Sequence, residues 1–292
     1  MALCHPFLFD SNHSYAARLL MNLTELFPIL NFPSPIEKTI LELLESDFSR
    51  ISMLCKTAYT GDDFQFPIRN YTPSDRLLTL LDLLPCQYND YIHLDIPEHI
   101  IIDTFQDVVH RASLYFQRHD SVGLSEDDVI WFRHIINKNI FKVGSLQFQP
   151  FEMIYLDEET LGEEYMHFSP KWKSQLPPGA SVINCHIPAG TDLSNENVSA
   201  SLSNAIALFQ KLYPSTRFAA FLCYSWLLYP AMHTEFSPDS KILQFSNRFE
   251  IIGTCADTDQ AMEYIIPNST LAQKIKDHPE HFGFACGIIS LT

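Results

Sequence analysis

The sequence has little positive charge. Its 19 Lys and Arg residues stand against 35 Asp and Glu residues, which gives a formal net charge of −16. A nucleic-acid-binding surface needs clustered Lys and Arg, and an anionic membrane surface attracts basic segments. We therefore expect neither nucleic acid nor membrane as a partner. An anionic ligand would have to be held by local donors, because the overall field repels it.

Patterns of paired cysteines and of metal ligands are also missing. The seven cysteines are odd in number and none has Cys-x-x-Cys spacing, so we expect a reducing cytoplasm and no disulfide framework. The sequence contains no His-x-x-x-His and no His-Glu-x-x-His. We therefore expect no metal site.

Targeting and nucleotide-binding signals are absent from the sequence. Residues 1–10 lack a basic segment and a small-residue cleavage site, so we predict no signal peptide. The most apolar stretch, residues 218–232, is too short and interrupted for a membrane span. No dinucleotide fingerprint, P-loop or Gly-x-Ser-x-Gly elbow occurs. The pattern indicates no particular oligomeric state.

Helical patterns fill the first part of the chain. The capping signal Thr72-Pro73-Ser74-Asp75 precedes one helix, and apolar residues from Ile101 to Phe116 form a helical stripe. The predicted helices cover residues 14–27, 36–46, 48–59, 77–84 and 97–118. A polar stretch around residue 120 predicts a boundary, which gives a helical domain over 1–122 and a second domain over 123–292.

The second part alternates strand and helix patterns. After a helix that begins near Ser125, a strand or hairpin is predicted at 141–154 and strands at 181–188, 218–228, 249–255 and 282–291, with helices at 195–212 and 268–277. The acidic stretch 157–164 is predicted to be a solvated loop. The fold class is therefore mixed α+β and α/β, with a helical N-terminal domain before a mixed β-sheet flanked by helices.

A strand–helix–strand unit between residues 181 and 228 is the strongest site signal. Its first strand ends at Ala189-Gly190, and a polar turn leads into the helix that begins at Asn195. The N–H groups at a helix start beside a strand end can bind an anionic or carbonyl-bearing ligand. We therefore place any small-molecule site there.

Several motifs resemble those of a family of bacterial acyltransferase-like proteins, which join a helical N-terminal domain to a GNAT-like C-terminal domain. The resemblance rests on Val143-Gly-Ser-Leu-Gln-Phe148, His186-Ile-Pro-Ala-Gly190, Cys223-Tyr-Ser-Trp-Leu-Leu228 and Ser240-Lys-Ile-Leu-Gln-Phe245 with Phe249. It covers the second half strongly and the first half only by helical character.

The resemblance implies an acyl-CoA thioester as donor substrate and an amine as acceptor. The thioester carbonyl would lie where two central parallel strands separate, and the pyrophosphate at the start of the following helix. The implied donor-binding residues are Ile187, Ala189, Gly190, Thr191, Ser194 and Asn195. This loop has one glycine and no Arg, and Asp192 adds a negative charge, so an acyl-carrier arm is an alternative donor. Asp192 or Ser194 could also simply cap the helix.

Catalysis of thioester aminolysis needs a base and a proton for the leaving thiolate. His186 near the end of the first strand is the candidate base, with a buried, hydrogen-bonded His as the alternative. Tyr224 and Ser225 are candidate proton donor and water-ordering group, although alternation places them on opposite faces of their strand. Glu152, Glu235 and the pair Glu163-Glu164 are alternative carboxylate bases.

Three functions remain open from the sequence. The first is an acyl-CoA-dependent N-acyltransferase, whose helical domain would shape the acceptor side. The second is a non-catalytic GNAT-like module that binds a ligand or a protein. The third is an acyl hydrolase that uses Cys223 or Cys185 as nucleophile, although Cys185 and His186 would point to opposite faces.

Overall fold

The computed structural model describes residues 25–58, 67–264 and 269–291. The described residues form two compact units, divided between Asn139 and Ile140. Most of the predicted helix 14–27 lies outside the described residues. No helix in the described part of the chain is long and apolar enough to cross a membrane.

The first unit is helical. Residues 25–30 form a short helical segment, and a 3₁₀ turn spans Pro67–Asn70. The longer helices are α1 Ser34–Ala58, α2 Pro73–His93, α3 Glu98–His119 and α4 Glu126–Ile136. Two separate helices were predicted over 36–46 and 48–59, and the described residues up to Ala58 confirm the break between them, because Asp47 has a non-helical backbone with φ of −139° and ψ of 30°.

Helix α2 is the central helix of the first unit. The predicted cap is present, since Thr72 Oγ1 accepts a hydrogen bond from Asp75 N at 3.2 Å. The helix is buried on most sides, including the charged side chain of Arg76. Arg76 donates to Arg69 O at 2.7 Å and pairs with Glu126 at 3.1 Å, so the burial of its charge is compensated.

Helix α4 belongs to the first unit by its contacts. Tyr91 of α2 donates to Ile135 O at 3.2 Å, and Arg111 of α3 pairs with Asp128 at 3.0 Å. The sequence boundary after residue 122 placed α4 in the second domain, because the polar stretch before Ser125 resembles a linker. The packing groups α4 with the first unit, and the domain boundary after residue 122 stays a prediction.

The second unit is built on one six-stranded sheet. Its strand order is β1-β2-β3-β4-β6-β5, and among the described strands only β3 and β4 are parallel neighbours. The strands are β1 Phe141–Val143, β2 Leu146–Glu152, β3 Ser181–His186, β4 Ala220–Ser225, β5 Glu250–Cys255 and β6 Phe284–Ser290. The predicted class, a helical region followed by a mixed sheet with helices, is confirmed.

Helices cover this sheet. They are α5 Glu158–Leu161, α6 Pro170–Gln175, α7 Asn195–Leu212, α8 Lys241–Ser246, α9 Asp259–Tyr264 and α10 Thr270–Asp277. Helix α7 matches its predicted bounds, whereas α5 lies in the acidic stretch that was predicted to be a loop. Asp157 is the N-cap of α5, and its side chain accepts a hydrogen bond from Thr160 N at 3.2 Å.

The turn between β1 and β2 fixes the start of the sheet against α7. Gly144 has a φ of 64°, and a Cβ on it would lie 2.6 Å from Ser201 Oγ of α7. Ser201 Oγ also accepts a hydrogen bond from Ser145 N at 2.9 Å. Glycine is therefore required both by the backbone conformation and by the close approach of the helix.

We predict that Ser125→Ala lowers the free energy of unfolding by about 1 kcal/mol, because it removes a capping box. Ser125 Oγ accepts from Asp128 N at 3.1 Å, and Asp128 Oδ2 accepts from Ser125 N at 2.9 Å. Ser169→Ala is the matched control, since Ser169 is the N-cap of α6 without a side-chain cap hydrogen bond. Denaturant unfolding measures both, and equal losses would contradict the capping role.

Candidate active site at the split between two parallel strands

The parallel strands β3 and β4 separate before either ends. At their beginning, Ala219 N donates to Ser181 O at 2.9 Å, and the register pairs Ile183 with Phe221 and Asn184 with Leu222. Strand β3 continues to His186 and β4 to Ser225, but these ends pair only with β2 and β6. A split in a parallel pair releases backbone groups that the two strands would otherwise share, which makes it a natural place for a carbonyl-bearing ligand.

The register assigns each predicted catalytic residue to a face of the sheet. Side chains alternate along a strand, and paired residues share a face. His186 and Tyr224 therefore lie on one face, which also carries the apolar cluster around Tyr155, Phe168 and Leu222. Ser225 lies on the opposite face.

That opposite face is the one covered by α7. Phe209 of α7 packs edge to face on Phe141, with ring centroids 5.9 Å apart, and Phe141 pairs with Phe148. Phe148 in turn pairs with Cys185, so Cys185 and Cys223 lie beneath α7. The structure thus brings His186 and Tyr224 to a common face and separates both from Ser225.

His186 belongs to a polar strip formed by Gln147, Gln149, Asn184 and His186. Gln147 pairs with His186 and Gln149 with Asn184 across β2 and β3. His186 Nε2 lies 3.2 Å from Gln149 Oε1, so the His ring has a fixed partner on the sheet.

The two glutamines of this strip were not predicted as site residues from the sequence. The alternation Leu146-Gln-Phe-Gln149 is typical of a strand with one solvated face. Here both faces are covered, and Gln147 and Gln149 are only 3% and 6% exposed. Buried amides on a sheet need hydrogen-bonding partners, and His186 is one of them.

The loop between β3 and α7 is held by short side chains. Gly190 has a φ of 74°, which a residue with Cβ rarely adopts. Thr191 Oγ1 donates to Ser145 O at 3.1 Å, which ties the loop to the β1–β2 turn. Ala189 and Gly190 are exposed and Leu193 is buried, so the loop is anchored at both ends around an open tip.

The first turn of α7 has no side-chain cap. Ser194 occupies the N-cap position, but its hydroxyl donates to Asp192 Oδ2 at 3.2 Å instead of accepting from the helix. Asp192 Oδ1 accepts from Ser194 N at 3.1 Å, and Asp192 Oδ2 accepts from Asn197 Nδ2 at 2.8 Å. The proposed cap by Ser194 is therefore not formed, and the N–H groups of the first turn keep their capacity for an anionic ligand.

Two cationic side chains lie at this helix start, and neither was predicted from the sequence. Lys241 Nζ donates to Asp192 Oδ1 at 2.7 Å. Arg248 donates to Asn195 O at 3.0 Å, to Asn195 Oδ1 at 2.8 Å and to Ser199 Oγ at 2.9 Å. Both follow α7 by about 30 residues or more, so no local spacing could reveal them.

The ion pair with Lys241 offsets the negative charge of Asp192. The Lys241 ammonium and the Ser194 N–H lower the pKa of the Asp192 carboxyl, so this carboxylate is charged near neutral pH. The ammonium of Lys241 balances this negative charge. Arg248 adds a further positive charge beside Asn195. The charges of Asp192 and Lys241 cancel, and both side chains are solvent-exposed. The loop therefore does not repel an incoming phosphate.

Tyr224 and Ser225 have structural partners. The Tyr224 hydroxyl donates to Ile154 O at 2.6 Å, and burial, together with the nearby Cys286, raises its pKa well above the ordinary value. A raised pKa makes Tyr224 a weaker acid than free tyrosine. Ser225 Oγ accepts from Leu227 N at 3.1 Å and caps the 3₁₀ helix Trp226–Leu228.

Cys185 and Cys223 are both buried, at 1% exposure each. A hydrogen bond with Cys185, reinforced by burial, raises the pKa of the Cys223 thiol well above its ordinary value. The thiolate is the nucleophilic form of cysteine. The environment of Cys223 therefore disfavours nucleophilic catalysis.

We predict that Cys185 and Cys223 resist iodoacetamide in the native protein in mildly alkaline buffer and react fully in denaturant, because both thiols are buried and the pKa of the Cys223 thiol is raised. Peptide mass spectrometry measures the labelling of each cysteine. The exposed Cys86 has its own peptide and serves as an internal reference for reagent access. Rapid native labelling of Cys223 would restore the cysteine-nucleophile hypothesis.

Solved acyltransferase structures share this arrangement of elements. One, "acyltransferase in complex with decanoyl-CoA and teicoplanin", has a TM-score of 0.68 and 13% sequence identity, and the match covers 98% of this chain and 97% of that chain. Another, "acyltransferase in complex with decanoyl-CoA", has a TM-score of 0.63 and 19% identity, over 99% of this chain and 91% of that chain. At such identities the likeness shows the fold.

The search of curated proteins finds no match. The family model described as the GNAT-like C-terminal domain matches residues 140–285, which is half of the chain. The match begins at the first residue of the second unit and contains the split strands, the loop and the start of α7. The chain therefore belongs to the family of proteins with a GNAT-like C-terminal domain.

Proposed function

We propose that this protein is an N-acyltransferase, which moves an acyl group from an acyl-CoA thioester to an amine. The observation that carries this proposal is the split between β3 and β4 next to the uncapped start of α7. The split offers backbone groups to a thioester carbonyl, and the helix start offers N–H groups to the attached phosphates. Both lie within one loop's length of His186.

The donor would be held by local groups, as an acidic chain requires. Ile187, Ala189, Gly190, Thr191, Ser194 and Asn195 form the loop and helix start that we assign to the pantetheine and pyrophosphate of CoA. Lys241 and Arg248 add positive charge beside Asn195 and Asp192. The solved acyltransferases of the same fold carry decanoyl-CoA or octanoyl-CoA, which supports a CoA thioester rather than a carrier-protein arm as donor.

His186 would act as the base. An amine acceptor arrives as an ammonium, and His186 takes one of its protons. The neutral nitrogen attacks the thioester carbonyl, the C–N bond forms, and the C–S bond breaks. The second nitrogen proton passes to the leaving sulfur, so the products are an amide and the free thiol. Gln149 holds the His186 ring during these steps.

Tyr224 and Ser225 receive different weights in this proposal. Tyr224 shares the face of His186, but it would have to release Ile154 O before it could give its proton to the thiolate. Ser225 lies on the other face and caps a 3₁₀ helix. We therefore retain His186 as the principal catalytic residue and Tyr224 as a candidate proton donor.

The occupied hydroxyl of Tyr224 favours one second candidate, a non-catalytic module that binds the same ligand. Such a module would need the loop and the helix start but no proton donor. Saturable binding of an acyl-CoA without transfer to any amine would support it. Transfer that depends on His186 would exclude it.

We predict that Lys241→Met weakens the binding of acetyl-CoA about 3- to 10-fold, because a charge-assisted contact with phosphate is lost and Asp192 is left unbalanced. Isothermal titration at low ionic strength measures the dissociation constant, and added salt should shrink the difference. Lys276→Met is the matched control, since Lys276 is an exposed lysine of the same unit. Equal effects of both variants would remove Lys241 from the site.

We predict that His186→Ala lowers kcat about 10²- to 10⁴-fold and changes the dissociation constant of acetyl-CoA less than about 2-fold, since a general base acts on the acceptor rather than on donor binding. Steady-state release of free thiol with a panel of amines measures kcat. His167→Ala, an exposed histidine of the same unit, should leave kcat unchanged. Wild-type activity of a folded His186→Ala variant would refute the assignment.

A further inference from the structure

Two histidines and a glutamate meet at the turn that precedes β6. The sequence His278-Pro279-Glu280-His281 forms a 3₁₀ turn over Pro279–His281. Residues three apart eclipse each other in a 3₁₀ helix, and the rings of His278 and His281 stack with centroids 5.3 Å apart. The two histidines have His-x-x-His spacing. This spacing differs from the His-x-x-x-His and His-Glu-x-x-His patterns of common metal sites, so those patterns do not indicate it.

The ligand atoms of the three side chains converge. His278 Nδ1 lies 3.4 Å from Glu280 Oε1, and His281 Nε2 lies 3.9 Å from the same oxygen. One ligand atom from each residue falls within 4.8 Å of the others. Zinc ligands at about 2.0–2.2 Å in tetrahedral geometry lie about 3.3 Å apart, so small rotations about the side-chain bonds would close a three-ligand site.

A half-buried carboxylate, that of Glu235, fixes the orientation of His281. His281 Nδ1 lies 2.6 Å from Glu235 Oε1, and the Glu235 side chain is only 12% exposed. Lys274 Nζ lies 3.4 Å from Glu235 Oε2 and thereby holds that carboxylate. Metal-bound histidines usually donate their second ring N–H to such a carboxylate. Because Nδ1 of His281 contacts Glu235, Nε2 is the ring atom that faces Glu280.

We propose that His278, Glu280 and His281 bind one divalent transition-metal cation of the zinc class, with Glu235 as the positioning residue for His281. Two imidazoles and one carboxylate favour zinc, cobalt or nickel over magnesium or calcium, which prefer oxygen ligands. Three protein ligands leave a fourth position for water at the protein surface. The net charge of −16 also favours a cation over an anion here. The cation would pin the turn between α10 and β6.

The test is a titration of the full-length, tag-free protein with Zn²⁺ after treatment with a chelator. We expect one site with a micromolar dissociation constant. Co²⁺ in place of Zn²⁺ should give the visible absorption of a four-coordinate cobalt ion. Thermal unfolding should shift to higher temperature with Zn²⁺, because the cation binds the folded chain.

Variants separate this site from adventitious binding. Glu280→Gln and His278→Asn change exposed side chains, so they leave the fold intact, and each should weaken Zn²⁺ binding at least about tenfold. Glu235→Gln should weaken it about 10- to 100-fold without removing a ligand. His167→Asn is the control for histidines in general and should have no effect.

Two results would overturn the proposal. One is the absence of saturable Zn²⁺ binding below millimolar concentration in the wild-type protein. The other is a saturable site whose affinity is the same in the Glu280→Gln, His278→Asn and His167→Asn variants. Loss of binding in Glu280→Gln and His278→Asn alone would support His278 and Glu280 as ligands and reject the positioning role of Glu235.

Discussion

The separation of β3 from β4 is the feature on which the site depends. Elsewhere in the sheet the strands pair over most of their length; β4, for example, pairs with β6 from Ala220 to Ser225. The parallel pair is registered only at Ile183–Phe221 and Asn184–Leu222. Pairing with β2 holds the end of β3 in place, and pairing with β6 holds the end of β4. The two strands therefore separate from each other without losing their other partners. The site therefore consists of fixed backbone groups rather than a mobile loop, and such groups need little reorganisation to receive a developing charge.

Local electrostatics counter the charge of the whole chain. The net charge of −16 repels a phosphate at long range. At the start of α7, however, the fold brings Lys241 to Asp192 and Arg248 to Asn195, beside the N–H groups that no side chain caps. Asp192 orders this arrangement, because its two oxygens accept from Ser194, Asn197 and Lys241. In the sequence, the Asp192 carboxylate predicts repulsion of a phosphate. In the structure, it links the loop, α7 and α8 through hydrogen bonds.

Much of the fold could be predicted from local patterns. The bounds of α7, the hairpin after Phe141 and the caps at Thr72 and Ser125 follow from periodicity and from capping chemistry. The grouping of α4 with the first unit could not be predicted in this way, because it depends on Tyr91 and Arg111, which are distant in the sequence. Capping signals describe where a helix begins and not which neighbours it packs against.

The site was only partly predictable for the same reason. His186 and the loop that follows it are contiguous, so the sequence located them. Lys241 and Arg248 reach Asp192 and Asn195 only through the fold. Gln147 and Gln149 were masked by an alternation typical of a solvated strand, although both faces of β2 are covered there. The backbone of the site could therefore be predicted from the sequence. The side chains that give the site its charge and hold His186 in orientation could not.

Hydrogen exchange of the full chain, with and without saturating decanoyl-CoA, tests the central claim most directly. The account predicts that the donor slows exchange in the end of β3, the loop at residues 187–194 and the first turn of α7, while the helices of the first unit away from the ligand keep their rates. Such protection would locate the donor at the split. Unchanged exchange in this segment at saturating donor, or protection confined to other segments, would contradict it.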